Sequence, residues 1–247
     1  MKQGKLIVVE GSDGSGKKTQ ADILLQNLEK AGYETAFYDF PQYYSSFFGA
    51  MVGRYLDGEF GGADDVSPYL SSLLYAGDRW QASEKIEKDL ADGKIIVTNR
   101  YTQSNMAFQV AKMKKKGDKE KLRSWINELE FGVYGIPRPD LILFLYVPVK
   151  IGHDLVAKKV GRKYSKKTHD IHEANDDFML RSEKEYLWLA ENEDGWKKIE
   201  CVKDGKLQSI EVISDLVWAT IEPKLSQHLS ADSRLHGNGK KEIYAAS

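Results

Sequence analysis

The 247-residue sequence contains a single cysteine, Cys201, so no internal disulfide can form. An excess of one charge is also missing. With 36 basic and 37 acidic residues the net charge is −1, which gives no global basic surface to hold polymeric nucleic acid through its phosphates. No apolar run approaches the roughly 18 residues of a membrane span. The opening MKQGKLIVVEG has an apolar run too short, and too soon followed by glycine, for a signal peptide. Internal repeats are absent, as is any linker that would separate two domains. These absences lead to the expectation of a soluble cytoplasmic protein with no membrane and no nucleic-acid polymer as partner, and they favour a nucleotide as ligand.

Short β-branched runs alternate with longer helical patterns. KLIVVE, TAFYDF, KIIVTN, LILFLYV and WKKIECV are strand-sized, and between them apolar residues recur three and four apart. That rhythm predicts an α/β fold with a five-stranded parallel sheet flanked by helices. Ser67 before Pro68 reads as an N-cap with proline at the first helical position, and Gly93 as the C′ glycine, so residues 67–93 are expected to form one helix. A second helical stretch starts near Ser104, and the glycine and aspartate in KMKKKGDKEK suggest a turn between two helices. The run after Ile151 leads to KKVGRKYSKKTHDIHE, which lacks an apolar period and reads as a mobile loop. One domain is expected to about residue 225, with a last helix near 209–222 and a disordered polar tail over 226–247.

The stretch GSDGSGKKTQ lies between the first strand and the helical segment ADILLQNLEKAG. Gly11, Gly16 and Lys17 satisfy the phosphate-binding pattern G-x-x-x-x-G-K in the strand-to-helix context that gives it meaning. Glycines let successive backbone N–H groups turn inward around phosphate oxygens, the helix N-terminus adds positive potential, and Lys17 can reach the outer phosphates. The loop residues Gly11, Ser12, Asp13, Gly14, Ser15, Gly16, Lys17, Lys18 and Thr19 are therefore the expected ATP-binding set. The position after the lysine usually carries a Mg2+-binding hydroxyl. Here it is Lys18, and Thr19, one residue or about 100° further round the helix, cannot simply replace that hydroxyl.

Three more stretches, DFPQY (39–43), LLYAGDRWQAS (73–83) and VTNRYTQSNMAFQ (97–109), follow in order. Together with the loop, the sequence resembles the thymidylate kinase family over about residues 5–222. The resemblance implies a P-loop nucleoside-monophosphate-kinase fold, a mobile lid at about 158–173, ATP and Mg2+ as cofactors, dTMP as acceptor, and a homodimer. It implies that Lys17, Arg100 and the lid residue Arg162 are catalytic. Asp13 would meet the 3′-hydroxyl, Tyr75 would stack on the base, and Arg79 would reach a base carbonyl. Arg100 would hold the monophosphate, Ser104 and Asn105 would face the pyrimidine, and Phe108 would lie near the sugar. Phe40, Tyr43 and Asn99 complete the expected substrate surroundings.

Four positions depart from the family pattern. Lys18 replaces the metal-binding hydroxyl, Asn99 an aspartate, Tyr43 an arginine that often holds phosphate, and Tyr146 an aspartate near the end of the fourth strand. The metal ligands are unknown from sequence. These departures leave open a kinase for another deoxynucleotide or deoxynucleoside, or a non-catalytic nucleotide-binding protein of the same fold. The lysine run 112–121 reads as solvated surface. His169 and His172 have no further ligand cluster near them in sequence and are not read as a zinc site.

Overall fold

The computed structural model describes residues 4–62, 65–152 and 176–236. Five strands, β1 (Lys5–Glu10), β2 (Thr35–Asp39), β3 (Ile95–Asn99), β4 (Leu141–Tyr146) and β5 (Trp196–Glu200), form a sheet in the order β2-β3-β1-β4-β5. All four pairings are parallel. The helices are α1 (Lys17–Lys30), α2 (Phe47–Leu56), α3 (Pro68–Ala91), α4 (Thr102–Val110), α5 (Lys116–Asn127), α6 (Asp176–Asn192) and α7 (Ile210–His236).

Alternation along each strand divides the core in two. Leu6, Val8, Ile96, Ile142 and Phe144 face a layer containing Ala82 and Ile86 of α3, Met106 and Val110 of α4, Leu122 of α5 and Phe178 and Tyr186 of α6. Ile7, Val9, Ile95, Val97, Leu143 and Leu145 face Leu24 and Leu28 of α1 and Ile213, Val217 and Ile221 of α7. Both faces are covered, which is why the inner strands β1, β3 and β4 read as nearly continuous apolar runs, whereas the edge strand β5 carries exposed Lys197 and Lys198.

The long helix α3 starts at Pro68 and is followed by Gly93 at φ 84°, as its terminal residues predict. Other boundaries differ from the sequence reading. The break between the helices that follow β3 falls at residues 111–115, and Gly117 and Asp118 lie inside the first turn of α5. After α5 the chain continues as a single π-helical stretch, Glu128–Val133. The last helix does not stop near 222: the buried row Ile213, Val217, Ile221 and Leu225 continues across Pro223, and the backbone is helical to His236. Packing at four-residue intervals there outweighs the hydrogen bond that proline removes. A small antiparallel hairpin, β6 (Val202–Lys203) and β7 (Lys206–Leu207), turns on Asp204 and Gly205, both at positive φ, the geometry that an Asp-Gly pair favours.

The lysine run is more structural than its charge suggests. Lys112 Nζ donates to Tyr55 Oη at 2.6 Å and Ser71 Oγ at 3.3 Å, and Lys119 Nζ to Glu185 at 2.5 Å. Cys201 is fully buried, and burial pushes its thiol up to about 12. The folded protein is therefore expected to be inert to a thiol reagent at neutral pH and to react on unfolding, because only the thiolate attacks. Rapid labelling of native protein would contradict this burial.

Candidate active site

The parallel sheet places the C-terminal ends of β1, β2 and β3 along one edge, with Val9 in register with Asn99, and Asn99 in register with Asp39. The chain leaves β1 at this edge, in the region where open α/β sheets bind ligands. Gly11, Gly14 and Gly16 adopt φ values of 155°, 81° and 80°, conformations that favour glycine. A Cβ on Gly11 would lie 2.7 Å from Leu145 O, so the loop passes too close to β4 for any side chain there. Lys17 is buried and its Nζ donates to Ser12 O at 2.7 Å, folding the ammonium back over the loop. Ser12 Oγ donates to Val147 O at 3.2 Å, which fixes the loop to the end of β4. The first turn of α1 carries no acidic residue to offset its positive end.

Lys18 and Thr19 are exposed on the first turn of α1. The Lys18 ammonium pairs with Asp22 one turn on and sits 4.6 Å from the centroid of the Phe37 ring. It is committed to its own helix and the β2 edge. Lys18→Ser is accordingly expected to cost about 0.5 kcal/mol of stability at most. The Mg2+ titration of activity should superimpose on wild type within about twofold, well short of the change that a direct phosphate contact would give. A clear fall in the Mg2+ concentration needed would show that the ammonium swings onto the phosphates.

Arg100 follows β3 and takes φ 65°, a left-handed conformation that is uncommon outside glycine. Its NH2 is paired with Asp13 of the loop, and its NH1 donates to Ser104 Oγ at 3.0 Å and Tyr186 Oη at 3.3 Å. Its guanidinium carbon lies 5.3 Å from the Phe108 ring centroid. Burial works against the charge, but Asp13, Tyr186, Glu10 and Tyr43 outweigh it and hold the Arg100 pKa above its ordinary value. Ser104 is thereby placed at the arginine end of the site, where it also bonds to Glu10 through its backbone N–H at 3.0 Å and its hydroxyl at 2.7 Å.

Thr102 and Asn105, three apart on α4, point to a second cluster. Glu130, from the π-helical stretch, is fully buried and accepts from Arg79 Nε at 2.5 Å, Arg79 NH2 at 2.6 Å, Thr102 Oγ1 at 2.8 Å and Asn105 Nδ2 at 2.8 Å. The paired carboxylate overcomes burial and raises the Arg79 pKa. Asn105 Nδ2 also donates to Ser72 O at 3.3 Å, whereas its Oδ1 is buried with no hydrogen-bond partner among the described residues. Tyr75, one turn before Arg79, packs edge-on to Tyr55 with centroids 6.3 Å apart.

Asp78, next to Arg79 in sequence, serves a different element. It accepts from the Gln42 backbone N–H at 2.8 Å and from Ser46 Oγ, holding the Phe-Pro loop against α3. Phe40 is buried in the core, edge-on to Tyr101, and Tyr43 contributes to the field at Arg100. Asn99 Nδ2 donates to Asp39 Oδ1 at 2.7 Å. Tyr146 packs on Phe144 and carries Lys198 at 5.2 Å from its ring centroid. Arg162, His169, His172 and the expected lid lie outside the described residues.

Four participants were not legible in the sequence: Glu10, Asp78, Glu130 and Tyr186. Each acts on residues at least 25 positions away in sequence. Glu10 ends an apolar strand run, where a single acid looks like a solvated terminus. A buried acid so close to the loop was the available signal.

A five-stranded parallel sheet with a glycine-rich phosphate loop after its central strand, flanked by helices, is the P-loop nucleoside-monophosphate-kinase fold. The family model described as thymidylate kinase matches residues 9–213, and the chain belongs to that family. It is 30% identical over 228 residues to a probable thymidylate kinase of Thermococcus kodakarensis, covering 90% of this chain and 98% of the relative. To the human thymidylate kinase it is 33% identical over 144 residues, which span 58% of this chain and 61% of the human protein. Among solved structures, the thymidylate kinase of Candida albicans superimposes with a TM-score of 0.70 at 24% identity, over 92% of this chain and 94% of that one.

Proposed function

We propose that this chain transfers the γ-phosphoryl group of ATP to the phosphate of dTMP, giving dTDP and ADP. The observation that carries this reading is the Arg100–Asp13 pair, which ties the ATP loop to the arginine assigned to the acceptor phosphate. Phosphoryl transfer needs little covalent help from protein and depends on placing two phosphates in line and neutralising their charge. The loop N–H groups and Lys17 hold the outer phosphates of ATP. Arg100 holds the acceptor phosphate, Asp13 accepts from the 3′-hydroxyl, and Phe108 lies against the sugar.

At the base, Tyr75 supplies a stacking face and Arg79, whose Nε and NH2 are taken by Glu130, retains NH1 for a carbonyl. The Asn105 amide is oriented by two acceptors on its nitrogen, which leaves Oδ1 to accept from an N3–H. Thymine carries that proton; cytosine does not.

Mg2+ would travel with ATP. Among the described residues no group of three or more His, Cys, Asp or Glu could hold a metal. However, Asp39 and the Oδ1 of Asn99, buried without a hydrogen-bond partner among the described residues, are hard oxygen donors at the loop edge of the sheet. One or two such ligands beside phosphate oxygens suit Mg2+. When bound, the ion neutralises developing phosphate charge. Arg162 would steady the transferring group. The protein would act in the cytoplasm as a homodimer, and the exposed Phe47, Leu70 and Trp80 on α2 and α3 support the pairing of two copies.

A coupled ADP-release assay across dTMP, dUMP, dCMP, dAMP and thymidine tests this function. Turnover is expected with dTMP first, and dCMP should be poorer by at least about a hundredfold in kcat/KM, because a site built to receive an N–H rejects a base that lacks it. Equal use of dTMP and dCMP would contradict the assignment of Asn105.

A further inference from the structure

We propose that Tyr186 is a positioning residue for the reaction: its hydroxyl, oriented by the buried Glu10 carboxylate, presents a lone pair to Arg100 and holds that guanidinium ready for the acceptor phosphate. The proposal rests on the reading of Arg100 given above and adds to it how the arginine is kept in place.

The ring is fixed before the hydroxyl does anything. Tyr186 is 1% exposed, stacked on Phe144 with centroids 5.4 Å apart and planes 13° apart, and meets Phe108 at 90° and 6.0 Å. Trp196 closes a further side at 6.5 Å. A phenol held on three sides by aromatic rings has little freedom, so its oxygen is placed by the core between α6 and the sheet rather than by a surface loop.

The hydrogen-bond directions then follow from proton counting. Glu10 Oε1 accepts from the backbone N–H groups of Tyr101 at 2.9 Å and Ser104 at 3.0 Å. Its Oε2 is reached by Ser104 Oγ at 2.7 Å and Tyr186 Oη at 2.9 Å. Each hydroxyl has one proton, and a carboxylate can only accept. Ser104 Oγ also lies 2.8 Å from Tyr186 Oη, so the two hydroxyl protons are shared among this contact and Glu10, but in every arrangement the guanidinium can only donate, and both oxygens turn a lone pair to Arg100 NH1 at 3.0 Å and 3.3 Å. NH2 is meanwhile held by Asp13. The guanidinium is thus gripped on one nitrogen by the ATP loop and on the other by a layer of two hydroxyls backed by a buried anion. Such a grip explains how a non-glycine residue keeps φ 65° at this position. Burial together with Glu10 raises the Tyr186 pKa well above the ordinary phenol value, so the hydroxyl keeps its proton throughout the working pH range.

Tyr186→Phe keeps the ring and removes only the oxygen. The expected result is a fall of about tenfold in kcat/KM for dTMP, the size associated with a lost hydrogen bond to a charged group. KM for ATP should be unchanged within twofold. In an Arg100→Lys background, which keeps the charge but loses the fork, adding Tyr186→Phe should cost less than a further twofold, because the tyrosine acts through the arginine. Ser104→Ala, which removes the other hydroxyl, should show the same dependence on Arg100 and provides the test if Tyr186→Phe is too unstable to assay. A loss shared equally between ATP and dTMP kinetics, or a full tenfold loss persisting in the lysine background, would overturn the proposal and leave Tyr186 as packing alone. Unchanged dTMP kinetics in Arg100→Lys itself would instead remove the assignment of Arg100 beneath it.

Discussion

Arg100→Met is expected to lower kcat/KM for dTMP by a hundredfold to a thousandfold, about 2.7–4 kcal/mol of transition-state stabilisation. Three losses combine in this substitution. The acceptor phosphate of the proposed reaction loses a forked cation that matches its oxygens, the Ser104 and Tyr186 hydroxyls lose the donor they face, and the loop residue Asp13 loses its contact with the arginine. The last effect sets a sign for the control. Removing a positive charge beside the loop makes the local field more negative, so binding of the triphosphate should weaken as well, though by much less than dTMP binding. Steady-state kinetics with each substrate varied in turn measures both. An effect confined to ATP would place Arg100 on the donor side of the site.

Lys17→Ala should reduce kcat by at least tenfold, a loss of about 1.4 kcal/mol or more, with the fold intact. Lys17 is buried, and in the structure its ammonium spans the loop to Ser12 O, so substitution removes the loop's own positive charge from the proposed phosphate site. Its role is the more exposed to test because Lys18 offers no substitute, being paired with Asp22 on the outside of α1. Thermal unfolding of the variant, measured alongside, should stay close to wild type. Near wild-type turnover would remove Lys17 from the catalytic set.

The parts of the fold written locally were legible. The inner strands β1, β3 and β4 are apolar at successive positions because both sheet faces are covered there, and the loop after β1 is marked by glycines whose positive φ no other residue adopts readily. Pro68 and Gly93 bracket α3 for equally local reasons. Helix α2 was not anticipated, because its start depends on Ser46, whose hydroxyl caps Gly49 N–H while pairing with Asp78 across the sequence. The same distinction runs through the site. Lys17 and the loop glycines, proposed to hold a neighbouring phosphate, carry a recognisable spacing. Glu10 and Glu130 act on Arg100, Ser104, Arg79 and Asn105 through contacts made only after the sheet and helices assemble, and nothing in the spacing of one strand or one helix records them. Arg79 illustrates the consequence: its sequence neighbour Asp78 suggests a surface ion pair, but the chain buries it on Glu130 and gives Asp78 to the Phe-Pro loop.

Phosphorus NMR of the protein incubated with ATP, Mg2+ and dTMP observes the transferred group itself. The expected spectra show the dTMP resonance replaced by the two resonances of dTDP as the γ resonance of ATP disappears, with one ADP formed for each dTDP. ATP left intact beside unreacted dTMP, or ADP appearing together with free phosphate and no dTDP, would contradict phosphoryl transfer to the deoxynucleotide.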